Sequence, residues 1–215
     1  MQKEEQENEG LCDPKVGRDA CGIGFVANIK GEKSHRIVEM GLEMLMNLEH
    51  RGACGCDPAT GDGSGIMLQI PHEFFRKVLP DTLPFQGQYA VGMVFLPKDK
   101  SECHICEDML NRAIHEEGQK LLGWRNVPVA PKHCGELARE AMPVIRQVFV
   151  GRGPGAEDEE ALERKLYIIR KRVEEEIRES ELKHKQDFYI TSLSASTIVF
   201  KGQLMANQIP KFYLD

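Results

Sequence analysis

Between Asp158 and Glu181 the apolar side chains Leu162, Leu166, Ile169, Val173 and Ile177 recur every three or four residues in a run otherwise crowded with Glu, Lys and Arg. That spacing puts them on one stripe of a long helix, with the charges on a solvated face. Such a helix persists only when its stripe is covered, so the chain must supply apolar elements to lie against it. Three runs read as strands and offer that cover: "QYAVGMVFLP", "MPVIRQVFVG" and "FYITSLSASTIVFKG", the last a two-strand hairpin turning near Ser194 to Ser196. A second helix, "KSECHICEDMLNRAIHEEG", has Ile105, Met109, Leu110 and Ile114 inward. Strands interleaved with helices imply a layered fold of the α/β or α+β class, and 215 residues suit one domain.

The first third of the chain has the same alternation. "CGIGFVANI", Cys21 to Ile29, reads as a buried strand. "SHRIVEMGLEMLMNLEHR" follows as a helix, with Ser34 in the N-cap position and Ile37, Met40, Leu42, Leu45, Met46 and Leu48 at helical spacing. "GACGCDPATGDGSG" is a structured loop, "IMLQI" a short strand and "HEFFRKVL" a short helix. Residues 1 to 20 are polar and show no periodicity, so they read as an extended leader. "LMANQIPKFYLD" opens an element the 215 residues do not complete.

Charge and thiol content exclude several functions. A net charge of -6 with no Lys/Arg stripe argues against nucleic-acid binding. No apolar run approaches the ~20 residues of a membrane helix, and the acidic opening "MQKEEQENEG" is unlike a signal peptide, so the expected location is cytoplasmic. Seven cysteines, an odd number, in a chain with a sizeable core point to reduced thiols and not to a disulfide framework.

Residue chemistry alone leaves the candidate site open. Cys21 reads as buried filler on residue statistics, while small Ala20 and Gly22 and the polar Arg18 and Asp19 upstream suit an accessible nucleophile. Cys54 and Cys56 stand closer together than paired zinc ligands do, and Cys103, His104 and Cys106 sit in an amphipathic helix, so no metal is assigned. "TGDGSG" lacks the lysine of a phosphate loop and the spacing of a dinucleotide fingerprint. Arg51 fits either a helix C-terminal cation or a carboxylate anchor, and Asp57 and Asp62 read as turn formers.

Taken together, "RDACGIGFVANIKGEKSHRIVEMGLEMLMNLEHRGACGCDPATGDGSGIMLQIPHEFF" and the later "LGWRNVPV", "MPVIRQVFVG" and "FYITSLSASTIVFKG" resemble the start of the glutamine amidotransferase domain of the glutamate synthase large chain. The blocks "ACGIGF", "LEHRGA" and "TGDGSGI" in this order carry the resemblance. It implies an α+β fold: the four-layer α/β/β/α sandwich of the N-terminal-nucleophile hydrolases, incomplete in this chain. It also implies that residues 1–20 are a propeptide and 21–215 the N-terminal part of the amidotransferase domain.

By that resemblance Cys21 is the nucleophile, attacking the side-chain amide of L-glutamine once its own α-amino group is freed as the base. Arg51 and Gly52 are expected in the substrate pocket, and Asp62 and Gly63 as its support. The resemblance places no cofactor in this chain and implies FMN and an iron-sulfur cluster in the full-length enzyme. Expected partners are the remainder of a synthase chain and its small subunit. The family's "RFSTN" and "HNGE" blocks, the second of which supplies oxyanion donors, have no counterpart here, so the isolated chain is expected to be nearly inactive. The competing readings are another amidotransferase of this class and a non-catalytic glutamine-binding fragment.

Overall fold

The computed structural model describes residues 22–51, 57–79 and 83–215. Its helices are α1 (His35–Asn47), α2 (His72–Val78), α3 (Lys100–Glu116), α4 (Glu136–Ala141), α5 (Glu159–Glu179) and α6 (Ile209–Phe212). Its strands are β1 (Ser64–Gln69), β2 (Tyr89–Leu96), β3 (Lys120–Asn126), β4 (Val144–Gly151), β5 (Tyr189–Ser194) and β6 (Thr197–Gly202). Short 3-10 turns occupy Glu49–Arg51, Pro131–His133, Lys185–Asp187 and Ala206–Gln208.

The six strands form two sheets. One has the order β3-β4-β2-β5, with antiparallel neighbours throughout; the other pairs β1 with β6, Ser64 opposite Gly202 and Gln69 opposite Thr197. Alternation along the central strand β2 divides the interior. Ala90, Val94 and Leu96 join Val148, Val150 and Ile190 against α3 and α5, where the stripe from Leu162 to Ile177 is buried as its spacing requires. Val91 and Met93 join Ile145 and Phe149 on the opposite face, against Ile198 and Phe200 of β6, with Ile66 and Leu68 of β1 packed alongside. Burial of each such Leu, Ile or Phe contributes about 1.5–3 kcal/mol before entropy is subtracted. On the second sheet α1 brings Leu42 and Leu45 to the same cluster, and Gly41 lies beside Ile66.

Helix ends follow from local chemistry. Asp99 accepts from the Glu102 amide at 3.0 Å and Asp158 from the Ala161 amide at 2.7 Å, capping α3 and α5. Ser34 sits at the N-cap of α1, as its sequence suggests, but makes no side-chain cap bond. Along the α3–α5 seam Lys165 meets Glu117 at 3.0 Å, and Arg172 meets Glu116 and Glu117.

Three expectations are corrected. The buried strand expected over Cys21 to Ile29 carries no strand pairing in its described residues 22–29, and Ile23, Phe25 and Ile29 are 93%, 89% and 103% exposed. An apolar run becomes a strand only beside a neighbour that completes its ladder, and among the described residues β1 and β6 pair only with each other. The expected hairpin at 188–202 consists of two strands that part: β5 enters the larger sheet and β6 the smaller. They remain tied by side chains, the Thr191 hydroxyl donating to the Val199 carbonyl and Ser192 accepting from the Val199 amide. Ile105 is exposed, not inward; the inner face of α3 is Cys106, Leu110, Ala113 and Ile114.

Candidate active site

A broad cleft of about 1560 Å³ runs between the 22–28 segment, α1 and the two-stranded sheet. Met67 lines it, and so do Val199 and Lys201 of β6, which alternate with the inward Ile198 and Phe200. Gly22 borders the cleft, and so do Asp62 and Gly63. The "DG" of the glycine-rich loop and the residue directly after Cys21 therefore line the same cleft. Gly63 takes a φ of 138°, which a residue with a side chain rarely adopts. Asp62 is exposed at the rim.

Of the other expected site residues, Cys21 and Gly52 lie outside the described residues. Arg51 closes the 3-10 turn Glu49–Arg51, and its side chain too lies outside the description. Cys54 and Cys56 lie outside it as well.

The loop from Asp57 to Ser64 is held from two sides. Its Asp57 carboxylate accepts the Ala59 amide at 2.9 Å through Oδ1, and through Oδ2 the Thr60 hydroxyl at 2.7 Å and the Leu137 amide at 3.4 Å. Thr60 Oγ1 in turn accepts the Ala138 amide at 3.3 Å. The hydrogen bond from Thr60, seconded by the backbone amides, holds the Asp57 carboxyl below the ordinary carboxylate range. The N-cap position of α4 is Gly135, which has no side chain to cap with; a Cβ there would collide with Thr60 and Asp57. A loop thus caps a helix that lies about eighty positions away in sequence.

On its other side the loop meets the 204–208 turn. Gln208 donates from Nε2 to the Ala59 carbonyl at 2.8 Å, and Ser64 Oγ donates to the Leu204 carbonyl at 2.8 Å. Gly61 is needed here, since a Cβ would strike the Leu204 backbone. The turn-former reading of Asp57 is met by its bond to Ala59, but its capping of α4 has no local signature. Gln208 carries no signal at all in "LMANQIPKFYLD".

The described thiols have no catalytic setting. Burial pushes Cys103 up to about 11 and Cys106 up to about 12, and raises Cys134. Cys106 packs under α5 and Cys134 lies in the other apolar cluster, so they share no ligand sphere. On the cleft wall the Lys201 ammonium lies 2.9 Å from the Tyr189 hydroxyl and 4.3 Å from its ring centroid, and that hydrogen bond lowers the phenol's pKa.

The sequence profile of the class-II glutamine amidotransferases matches residues 21–215. The chain belongs to this family. Among its amidotransferase relatives is the glutamate synthase [NADPH] large chain of Bacillus subtilis, 46% identical over 208 residues, covering 96% of this chain and 13% of that one. The corresponding large chain of Azospirillum brasilense is 40% identical over 94% of this chain and 13% of its own length. The chloroplastic ferredoxin-dependent glutamate synthase of Oryza sativa is 41% identical over 92% of this chain and 12% of its own. This class-II amidotransferase region thus spans only 12 to 13% of the curated relatives it matches.

Proposed function

We propose that this chain carries the glutaminase part of a glutamate synthase, with Cys21 as its nucleophile. The observation that carries the reading is the coincidence of two boundaries: the amidotransferase match begins at residue 21, and the residue after it borders the cleft that Asp62 and Gly63 line. On this reading residues 1–20 are a propeptide, and residues 21–215 are the N-terminal part of the domain. The two sheets, with α3 and α5 on one side and α1 on the other, are the beginning of the family's four-layer α/β/β/α sandwich.

The chemistry follows from the residues. An ordinary thiol titrates near ~8.5 and a free α-amino group near ~7.7 to 8.0, so the amine of a newly exposed Cys21 is matched to take the proton of its own sulfur. The thiolate adds to the side-chain carbonyl of glutamine. Collapse of the adduct breaks the carbon–nitrogen bond and expels ammonia, which carries the transferred proton. Water then cleaves the γ-glutamyl thioester to glutamate and restores the thiol. Arg51 and Gly52 hold the substrate, the guanidinium by its fixed fork of donors, while Asp62 and Gly63 support the pocket.

Ammonia released here feeds a synthase domain outside these residues, where 2-oxoglutarate is aminated, and a small subunit is a further partner. FMN and an iron-sulfur cluster belong to that part. Among the described residues the free thiols are dispersed in apolar packing and no three His, Cys, Asp or Glu side chains converge to ligate a cluster. The location we propose is the cytoplasm; among the described residues no helix is long and apolar enough to cross a membrane.

Replacing Cys21 by Ala in the full-length protein should abolish glutamine-dependent turnover and spare synthesis from free ammonia. Retention of glutamine turnover would refute the assignment.

A further inference from the structure

We propose an amino-acid subsite on the cleft wall, formed by Lys201, Tyr189 and Asp187, that takes the zwitterionic end of a free α-amino acid. It goes beyond the glutaminase reading, in which Arg51 and Gly52 hold the reacting glutamine, and rests on that reading only for its kinetic assay.

The cleft has room for it. Small-molecule sites enclose about 300–1,000 Å³, and this cleft measures about 1560 Å³, so one bound glutamine leaves part of it open. Lys201, Tyr189 and Asp187 all line it. Lys201 stands opposite Gly65 in the β1–β6 ladder, where a Cβ on the glycine would come within 2.6 Å of the Lys201 Cβ. The missing side chain leaves the wall beside the lysine bare.

The Lys201 ammonium is held in place. Its Nζ donates to the Tyr189 hydroxyl at 2.9 Å and lies 4.3 Å from the centre of that ring. Tyr189 in turn packs against Phe95, its partner in the β2–β5 register, with ring centres 6.3 Å apart. An ammonium has three N–H donors, and a phenol oxygen that accepts one of them keeps its own O–H. Lysine and tyrosine therefore stand side by side as two donors for one carboxylate. Fixing the lysine beforehand removes part of the ordering cost of binding. The lowered pKa of the phenol, which comes first from the Lys201 hydrogen bond, strengthens its O–H as a donor.

Asp187, two residues before Tyr189, brings the opposite charge for an α-ammonium group. Among the described residues neither Lys201 nor Asp187 takes part in an ion pair. Arg170 and Glu174, which also act on the phenol, pair with each other at 2.7 Å. One stretch of wall thus carries a cation and an anion that are not paired with each other, and an α-amino acid answers both. Substrate glutamine and product glutamate share that end, so the assay has to separate them.

The test is ammonia release from glutamine by the full-length protein carrying these residues, with L-glutamate added as inhibitor. In Lys201→Met and Tyr189→Phe the inhibition constant of glutamate should rise about tenfold, as expected for loss of one charge-assisted hydrogen bond. Lys201→Arg should restore most of it. Asp187→Asn should weaken inhibition by glutamate and spare that by glutarate, which lacks the amine, whereas Lys201→Met should weaken both. A rise in the KM for glutamine in these variants, with the inhibition constant unmoved, would assign the same subsite to the substrate. Tyr189→Phe keeps the ring and its packing, and serves if Lys201→Met fails to fold. Lys201→Met and Tyr189→Phe proteins that keep both wild-type constants would overturn the proposal. Cys21→Ala run in parallel separates the two claims: retained glutamine turnover removes the glutaminase reading alone, and lost turnover there, with both constants unmoved in the subsite variants, removes the subsite alone.

Discussion

The Asp57 carboxylate accepts the Thr60 hydroxyl at 2.7 Å, and the same threonine oxygen accepts the Ala138 amide at 3.3 Å. Through this pair a glycine-rich loop becomes the cap of a helix remote from it in sequence. Close packing then explains two glycines: Gly61 of the loop meets the Leu204 backbone, and Gly135 at the N-cap of α4 makes room for the two capping side chains.

The pair has a pH signature. Asp57 is held below its usual value of 3.8, chiefly by the hydrogen bond from Thr60, so folding favours its ionised form. Its contribution to stability is complete above that value and is lost as pH falls through the lower folded-state pKa. The stability difference between the wild-type chain and Asp57→Asn should therefore shrink on acidification below 3.8, as measured by urea unfolding across pH. A difference that is constant from neutral pH to strong acid would contradict it.

The direction of the α5 stripe is open to a second check. Leu166 is fully buried beneath the larger sheet, and Leu166→Ala should cost about 2–5 kcal/mol. Ile168, two positions on, is 40% exposed, and Ile168→Ala should change stability by less than about 0.5 kcal/mol. Denaturant midpoints of the two variants decide, and equal costs would mean the stripe is placed on the wrong face.

Thiol labelling reads the burial of the cysteines. Cys106 and Cys134 are buried with raised pKa values, so an alkylating reagent at neutral pH should leave both unmodified in the native chain and modify them after denaturation. Peptide mass mapping that found native Cys106 labelled at the rate of an exposed thiol would contradict the packing of α3 under α5.

Exposed surface on α3 offers a fourth. Ile105 lies outside the core although its spacing to Met109 mimics a helical stripe, so Ile105→Ala should be nearly neutral while Leu110→Ala costs about 2–5 kcal/mol in the same unfolding assay. A large cost at residue 105 would show that α3 is rotated about its axis.

Much of this architecture is legible in the residues because periodicity reports burial directly. The stripe of α5 and the continuous apolar run of β2 name their own elements, and β2 is buried along nearly its whole length. β3 hides because "KLLGWRN" is half-buried with no alternation, bends at a register shift between Leu121 and Gly123, and owes its place to pairing with β4. α4 hides because its cap lies in another part of the chain. The parting of β5 from β6 is invisible locally, since a two-residue turn between apolar runs signals a hairpin and the choice of sheet is made by β2 and β1.

The loop contacts are less legible. Gly22, Asp62 and Gly63 line one cleft, whereas the sequence shows only the turn-forming half of Asp57 and nothing of Gln208. Long-range hydrogen bonds leave no spacing in a sequence.

The central claim is that Cys21, freed at its amino group, is the group that attacks glutamine. It is tested by treating the full-length active protein with a glutamine analogue that bears an electrophilic ketone in place of the amide, and sequencing the labelled peptide by mass spectrometry. The account predicts a mature chain that begins at Cys21 and carries the label on that sulfur. An active protein that retains residues 1–20, or a label on any other cysteine, would contradict it.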